Sequence, residues 1–317
     1  MKKTRVFFAT DTHGSEKVFM KFVNSGKFYG VDALILGGDL TGKMIVPIVL
    51  QEDGSHVANF MGIETVVRGE QELQQLEKNI RFTGHYAYRT SPDEKAELDA
   101  KDEKIQALFS DLMTQSVRSW VKVAEERLTG TRIKCYIMPG NDDRFEVDEA
   151  FEGSSVVVNP EGKILWLDDD HEMISTGYSN ITPWKAPRDT SEEQLTERIE
   201  KMASQVQNME KCIFNFHCPP FGSELDIAPL VDENLKYIKK AGEGFAFDHV
   251  GSKAIQQAIE KYQPLLGLHG HIHESRGVCK IGRTLCINPG SEYTEGVLRG
   301  AIVTIEDGKV DYQLTSG

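Results

Sequence analysis

The sequence predicts an α/β fold, because five short apolar segments alternate with stretches of helical periodicity. Runs of this length and composition are typical of strands covered on both faces of a sheet. They lie at residues 6–10, 31–36, 133–138, 212–216 and 264–269. With 317 residues, the chain is long enough for one large α/β domain or two smaller ones.

Each apolar segment is followed at once by side chains that can bind metal. In chain order these are Asp11 and His13, then Asp39, then Asn141, then His217, then His271 and His273. In α/β sheets ligands bind beyond the carboxyl ends of the strands, and residues i and i+2 of a strand point to the same side. The seven donors are therefore expected to meet in one crevice.

The type and number of these donors indicate which metals they would hold. Oxygen and nitrogen ligands without cysteine suit divalent ions such as Mn, Fe or Zn. Seven donors are too many for a single ion, so two ions are expected. No residue is predicted to bind an organic cofactor.

The same motifs, taken in order, resemble those of the calcineurin-like metallophosphoesterases. The resemblance runs from residue 6 to about residue 304, through Asp11-Thr-His13, Gly38-Asp39, Gly140-Asn141-Asp142-Asp143, His217 and Gly270-His271-Ile-His273. After the last motif, Asn288-Pro-Gly-Ser291 is similar to the small intracellular phosphodiesterase branch of that family.

The resemblance implies a four-layer α/β/β/α sandwich with a binuclear metal centre. It assigns Asp11, His13, Asp39 and His273 to one ion, and Asp39, Asn141, His217 and His271 to the other, with Asp39 bridging both. It also implies hydrolysis of a phosphate ester by a hydroxide that bridges the two metals.

Asp142 departs from the family pattern. The family usually has a histidine here, and the resemblance implies that this histidine protonates the leaving group or stabilises the transition state. An ordinary aspartate is ionised at neutral pH, so Asp142 could donate a proton only if its pKa were raised. Two hypotheses remain open: Asp142 is the general acid, or the metals carry the chemistry without it.

Composition limits the possible partners and locations. The formal net charge is −13, which disfavours nucleic acid as the main partner, since such binding depends on Lys and Arg. Five cysteines without a close-spaced pair are typical of reduced thiols in a cytosolic protein. The apolar stretch before Asp11 is too short for a secretion signal, and no apolar run reaches membrane-spanning length. We expect a cytoplasmic protein that binds a small phosphorylated substrate, with no membrane partner.

The stretch between Asp39 and Asn141 is much longer than the roughly 30 residues of a strand-helix-strand unit. It predicts a β-hairpin around Asp53-Gly54, with strands at Met44–Leu50 and His56–Val67, then a helix from Glu70 to Ile80. A single long helix is predicted from Ser91 to about Leu128. We therefore predict one domain, 1–317, with an insertion at about 43–128. Because the hairpin starts just after Gly42, close to the Asp39 motif, it is expected to form one side of the active site and to influence which substrates bind.

Further elements are predicted downstream. Thr190-Ser-Glu-Glu193 matches a capping box that would open a helix to about Val206. Ser252 would open another helix, to about Lys261, and Ile302–Tyr312 predicts a closing hairpin around Asp307-Gly308. The other histidines are predicted to be ordinary surface or core residues; they are His56, His85, His171, His249 and His269, of which His269 could still lie near the metals.

The sequence favours a small-molecule phosphodiesterase, and three alternatives stay open. They are a phosphomonoesterase, a phosphoprotein phosphatase, and a metal-binding scaffold without catalysis. Gly38-Asp39 is followed by Leu-Thr-Gly-Lys43 rather than the Val-Asp-Arg-Gly extension of the phosphoprotein phosphatases, which argues against that group.

Overall fold

The computed structural model describes residues 3–240, 242 and 244–317. The strands in chain order are β1 (Lys3–Ala9), β2 (Ala33–Leu36), β3 (Ile45–Leu50), β4 (His56–Phe60), β5 (Ile63–Val67), β6 (Tyr86–Thr90), β7 (Lys134–Ile137), β8 (Val157–Val158), β9 (Ile164–Trp166), β10 (Glu172–Thr176), β11 (Ser179–Asn180), β12 (Asp189–Thr190), β13 (Ile213–Phe216), β14 (Ile227–Pro229), β15 (Phe247–His249), β16 (Leu266–Leu268), β17 (Gly277–Ile281), β18 (Thr284–Asn288), β19 (Arg299–Glu306) and β20 (Lys309–Ser316).

The α-helices are α1 (Glu16–Tyr29), α2 (Glu70–Phe82), α3 (Pro92–Ala100), α4 (Asp102–Leu128), α5 (Glu192–Ala203) and α6 (Lys253–Tyr262). Short 3₁₀ helices lie at Phe145–Phe151, Met209–Lys211 and Tyr293–Glu295. None of the helices in the described part of the chain is long and apolar enough to cross a lipid bilayer.

Two six-stranded mixed sheets form the centre of the molecule. The first has the order β20-β19-β1-β2-β7-β8, and the second has the order β17-β18-β16-β13-β10-β9. Strands β1, β2 and β7 run parallel in the first sheet, and β13, β16 and β18 run parallel in the second. The five strands that are followed by predicted metal ligands, namely β1, β2, β7, β13 and β16, therefore all lie in parallel parts of these sheets.

Three apolar cores separate four layers. The outer face of the first sheet packs on α1 and α4 through Phe19, Trp120 and their neighbours. Phe8 and Ile35 of the first sheet meet Leu268 and Ile287 of the second in the middle core. The outer face of the second sheet packs on α5 and α6. This arrangement confirms the predicted α/β/β/α sandwich.

The segment after Gly42 forms a sheet of its own, with the order β5-β4-β3-β6 and α2 packed against it. The predicted strand from His56 to Val67 is wrong in one respect, since the chain turns back at Met61-Gly62 to give β4 and β5. Both turn residues have positive φ, 53° and 77°. Strand β3 pairs in parallel with β6, so the hairpin is part of a larger unit.

The predicted long helix after Ser91 is two helices. Lys101 leaves the helical region, with φ −134° and ψ 95°, between α3 and α4. Helix α3 buries none of its residues, so no apolar face holds it in line with α4. Ser91 does cap α3, accepting a hydrogen bond from the Glu94 N–H.

Downstream, the predicted elements are found with one shift. Ser191 rather than Thr190 caps α5, because its hydroxyl accepts from the Gln194 N–H while Thr190 belongs to β12. The helix also ends at Ala203, before Val206. Ser252 caps α6 as predicted, and β19 and β20 form the closing hairpin around Asp307-Gly308.

Candidate metal centre

Six of the seven predicted donors meet at one edge of the sandwich, beyond the carboxyl ends of β1, β2, β13 and β16. The loop after β7, which carries the seventh donor, Asn141, reaches Asp39 there, because the Asp142 N–H donates to Oδ1 of Asp39 at 3.1 Å. Four of the donors have left-handed backbone conformations, namely Asp11, His13, Asp39 and His271, with φ between 39° and 68°. This conformation costs a non-glycine residue of the order of 1–3 kcal/mol, and such residues cluster at functional sites. The backbone is therefore strained where the donors converge.

Two donor groups correspond to the two predicted ions. The first contains Asp11, His13 and His273, and the second contains Asp39, His217 and His271. Nε2 of His13 lies 3.0 Å from Nε2 of His273 and 3.6 Å from Oδ2 of Asp39. Oδ1 of Asp39 lies 3.3 Å from Nε2 of His217. Asp39 thus contacts both groups, one through each carboxylate oxygen.

Oδ1 of Asn141 is buried at this place and makes no hydrogen bond within the described chain. Nε2 of His217 faces the Asp39 carboxylate, with Oδ1 at 3.3 Å. Unpaired buried polar atoms are rare, because each costs desolvation energy. The Asn141 amide is oriented by donating from Nδ2 to Oδ1 of Asp189 at 3.0 Å, and His217 is oriented by the contact of Nδ1 with the Gly37 carbonyl at 2.9 Å. The donor set therefore fits divalent cations.

The protonation states also suit cation binding. Burial opposes ionisation of Asp11, but the hydrogen bond with His273 and the charge on His217 lower its pKa to about 2. The same kind of interaction, chiefly with His217, overcomes burial and lowers the pKa of Asp39. Burial lowers the pKa of His13, and that of His271 to about 4.

His217 behaves differently, because Asp39 outweighs burial and raises its pKa to about 10. Metal ligation requires neutral imidazole and ionised carboxylate. Asp11, Asp39, His13 and His271 have that form at neutral pH. Despite burial, Asp11 also raises the pKa of His273, so His217 and His273 are the two donors whose protonated form competes with an ion.

Asp143 braces the loop that carries Asn141. Its buried carboxylate accepts from the backbone N–H groups of Leu40, Thr41 and Gly140 at 2.7–2.9 Å, and from the Thr41 hydroxyl at 2.6 Å. Hydrogen bonds to a charged group are worth about 1.5–3 kcal/mol each. Asp143 therefore holds the Asp39 and Asn141 loops together.

Asp142 lies beside the donors and is paired with a lysine. Its Oδ2 is 2.7 Å from Nζ of Lys43, and its carboxylate forms a third donor group with His13 and Asp39. Burial and the Asp39 charge raise the pKa of Asp142 to about 6, while Lys43 opposes this shift. Despite burial, Asp142 and Asp39 together raise the pKa of Lys43. At neutral pH the pair is mainly ammonium and carboxylate.

The segment after Gly42 supports the loops that carry His13 and Asp39 through close contacts. Ser15 donates from its hydroxyl to the Phe82 carbonyl at 2.6 Å, and the Gly42 N–H donates to the Tyr86 hydroxyl at 2.8 Å. Gly84, with φ +87°, lies so near that an added Cβ would be 2.2 Å from the His13 carbonyl oxygen. The turn after α2 is therefore packed directly against a candidate ligand.

Replacing Gly84 by alanine is expected to displace His13 and weaken metal binding. The matched control is Gly54→Ala, which has a similar φ of +80° with nothing within 4 Å of the added Cβ. Both variants carry the backbone strain, about 1–3 kcal/mol, but only Gly84→Ala collides with His13. Metal affinity measured by titration should fall in Gly84→Ala alone; equal affinity in the two variants would contradict this role.

Asn288 holds the loop that carries His271 and His273. Its buried Nδ2 donates to the Ile272 carbonyl at 2.9 Å and is 3.3 Å from the Gly270 carbonyl. Nearby, the Ser291 hydroxyl donates to the Asp11 carbonyl at 2.6 Å. The Asn288-Pro-Gly-Ser291 segment thus supports ligands from both sheets.

Substituting Asn288 by alanine is expected to lower metal affinity and to destabilise the fold by about 1–3 kcal/mol, since buried carbonyls lose their donor. Asn288→Asp, which keeps the shape but removes the amide donor, should be at least as damaging. Denaturant unfolding and metal titration measure the two effects. Unchanged metal affinity in both variants would show that Asn288 does not position the ligands.

The remaining histidines lie outside the donor groups. His269 is buried, with Nδ1 2.9 Å from the Phe216 carbonyl, and burial lowers its pKa to about 4. His171 contacts Asp168, and His249 contacts Asp226, each through Nδ1 at 2.8 Å. The prediction that these are ordinary structural histidines agrees with these contacts.

Sequence reasoning missed Lys43 and Tyr293. The Tyr293 ring lies over the candidate ligands, 4.7 Å from the His13 ring centroid and 5.9 Å from that of His273. Both residues lie close in sequence to a predicted motif. Lys43 lies in the same loop as Asp39, and Tyr293 follows Ser291 by two positions. Neither belongs to a metal-binding motif, so the sequence pattern does not single out either residue.

No protein-family model matches the sequence. Among curated proteins, uncharacterized protein MJ1162 of Methanocaldococcus jannaschii is 32% identical over 154 residues. That match covers 48% of this chain and 62% of the relative, so the chain spans less than two thirds of the relative's length.

Solved structures resemble the whole chain. One crystal structure aligns over 99% of both chains with a TM-score of 0.61 and 14% identity. The crystal structure of TT1561 of Thermus thermophilus aligns over 99% of both chains with a TM-score of 0.54 and 12% identity. At these identities the similarity concerns the fold. The chain has the fold of the calcineurin-like metallophosphoesterases, as its motifs predicted.

Proposed function

We propose that the protein is a binuclear metal-dependent hydrolase of phosphate esters. The observation that carries this proposal is the convergence of Asp11, His13, Asp39, His217, His271 and His273 on one strained edge. The unpaired, buried Oδ1 of Asn141 lies on the loop that contacts Asp39. Two divalent ions, Mn, Fe or Zn, would be held there, with Asp39 between them. When bound, such ions activate water and neutralise charge on phosphoryl oxygens.

The protein's own groups would orient the ions and the substrate. Asp11 and Asp39 supply the negative charge, while the neutral oxygen of Asn141 avoids adding a further anion. Lys43 stands at the edge of the site, where its ammonium can contact a phosphoryl oxygen. Tyr293 supplies an aromatic wall beside His13 and His273. Together these groups suit a small phosphorylated molecule.

A phosphodiester is the substrate class that we favour. The Lys43 charge is already balanced by Asp142 at 2.7 Å, so this pair adds little net positive charge to the centre. A diester carries one negative charge, whereas a monoester approaches two, and a centre with little extra positive charge suits the former better. A phosphomonoesterase or phosphoprotein phosphatase is the second candidate.

An activity panel tests the proposal. Purified protein loaded with Mn, Fe or Zn would be assayed on aryl diesters, cyclic nucleotides, phosphomonoesters and a phosphopeptide. We expect metal-dependent hydrolysis, fastest on diesters, that disappears in Asp39→Ala. Faster hydrolysis of monoesters or phosphopeptide would overturn the substrate class alone. A protein that hydrolyses nothing on this panel, whether or not it carries stoichiometric metal, would be a scaffold, and the proposal would fail.

A further inference from the structure

The hairpin of β17 and β18 places two cysteines directly opposite each other. Cys279 is the register partner of Cys286 in this antiparallel pair. Directly opposite residues have Cα atoms about 4.5–5.5 Å apart, which is inside the range of roughly 4.4–6.8 Å that a disulfide spans. Opposite side chains also share one face of the sheet, and Cys279 packs against the apolar core that contains Cys286.

The two thiols differ in access. Cys286 is fully buried, next to Gly267, where an added Cβ would lie 3.0 Å from its sulfur. Cys279 is half-buried on β17, the edge strand of the second sheet. The hydrogen bond with Cys286 lowers the pKa of the Cys279 thiol. Because the thiolate is the nucleophile, Cys279 is the member of the pair suited to react first.

The other cysteines lack this arrangement. Cys135, Cys212 and Cys218 are buried thiols, and burial raises the pKa of each to about 12. Buried, protonated thiols are poor nucleophiles. Cys279 and burial also raise the pKa of the Cys286 thiol. The first attack on a small disulfide is therefore expected at Cys279, and Cys286 can react only once a mixed disulfide stands opposite it.

We propose that Cys279 and Cys286 form a reversible intramolecular disulfide by exchange with a low-molecular-weight disulfide. The Cys279 thiolate attacks one sulfur of the small disulfide, and the other sulfur leaves as a thiolate. The Cys286 thiol then gives its proton to the small thiolate released in the first step and attacks the Cys279 sulfur, expelling the second small thiolate. The two cysteines are oxidised to one S–S bond, and the small disulfide is reduced to two thiols.

The cysteine pair lies close enough to the candidate metal centre in sequence for the disulfide to affect a residue that positions its ligands. Cys286 lies two residues before Asn288 on β18, and Asn288 holds the His271–His273 loop. Closing the bond would fix the β17–β18 hairpin at the strand that ends in this positioning residue. A partly exposed disulfide is readily reduced again, so the state would follow the thiol–disulfide balance around the protein.

The experiment uses the full chain, fully reduced and then incubated with oxidised glutathione. Intact mass, thiol counting and peptide mapping should show two of the five cysteines joined as Cys279–Cys286, with no glutathione retained and full reversal by dithiothreitol. Cys279→Ser should lose the reaction. Cys286→Ala should instead retain one glutathione on Cys279, because the resolving thiol is missing.

Two results would overturn the proposal. One is stable glutathione on Cys279 of the unsubstituted protein, which would mean that Cys286 cannot reach it. The other is a full set of five unreacted thiols. If Cys286→Ala does not fold, the unsubstituted protein and Cys279→Ser decide the question, since their peptide maps alone distinguish ring closure from a mixed disulfide.

Discussion

Asp39→Ala is expected to abolish phosphoester hydrolysis and to remove both metal ions. The two carboxylate oxygens of Asp39 face different donor groups, at 3.6 Å from Nε2 of His13 and 3.3 Å from Nε2 of His217. Loss of this one side chain therefore leaves both ions without a ligand and without the anion between them. Elemental analysis of the purified variant measures the ions per chain, and the diester assay measures activity.

Asp53→Ala is the matched control for that substitution. Asp53 is an exposed carboxylate that binds Ser55 and Arg68, remote from the donor groups, and its loss should leave metal content and activity unchanged. Asp39→Asn keeps one oxygen ligand and should retain part of the metal. Two ions per chain in folded Asp39→Ala would refute the bridging position.

The sequence could predict the candidate ligands because their signals are local. A buried parallel strand appears in the sequence as an apolar run, and the polar residues that directly follow the run lie at the carboxyl end of the strand. Asp11, Asp39 and His217 could therefore be predicted as ligands from the few residues that precede each of them. Their convergence then follows from the geometry of parallel strands. This convergence does not depend on the order in which the strands pair within each sheet.

The groups that support the ligands could not be predicted in the same way. Gly84 contacts His13, and Asn288 contacts Ile272, through pairings between elements far apart in sequence. The ion pair of Lys43 with Asp142 joins two loops in the same manner. Such contacts depend on strand order and register, which hydrophobic patterns do not specify.

The two errors in element assignment have local causes. A periodic apolar pattern continued through Met61-Gly62, and the glycine in it marks a tight turn with positive φ. Helical propensity also continued through Lys101, although the charged stretch around it buries nothing that would hold one straight helix. In both cases the local pattern alone was compatible with one longer element.

Asp142→Ala is expected to slow hydrolysis by a similar factor for good and poor leaving groups. Lys43 lies 2.7 Å from the Asp142 carboxylate and opposes the rise of its pKa, which reaches about 6, so at pH 7 most Asp142 side chains are ionised and carry no proton to donate. A positioned general acid supplies about 10²–10⁴-fold, and its help is greatest when the departing oxygen is strongly basic. The measurement is the dependence of kcat/KM on leaving-group pKa across a series of aryl diesters, for the unsubstituted protein and the variant.

Lys43→Ala completes this test, because it removes the charge that the structure places beside the centre. Loss of one preorganised donor to a developing negative charge costs about 10²–10³-fold in rate, so Lys43→Ala should be slower than Asp142→Ala with metal content unchanged. Lys43→Arg should recover part of the loss. A steeper dependence on leaving-group pKa in Asp142→Ala would instead identify Asp142 as the general acid, and Asp142→His would then be expected to preserve the shallow slope. If kcat/KM depends equally on leaving-group pKa in all variants and falls most in Lys43→Ala, the pair stabilises negative charge on the phosphoryl group. Asp142 would then serve to hold Lys43 in place.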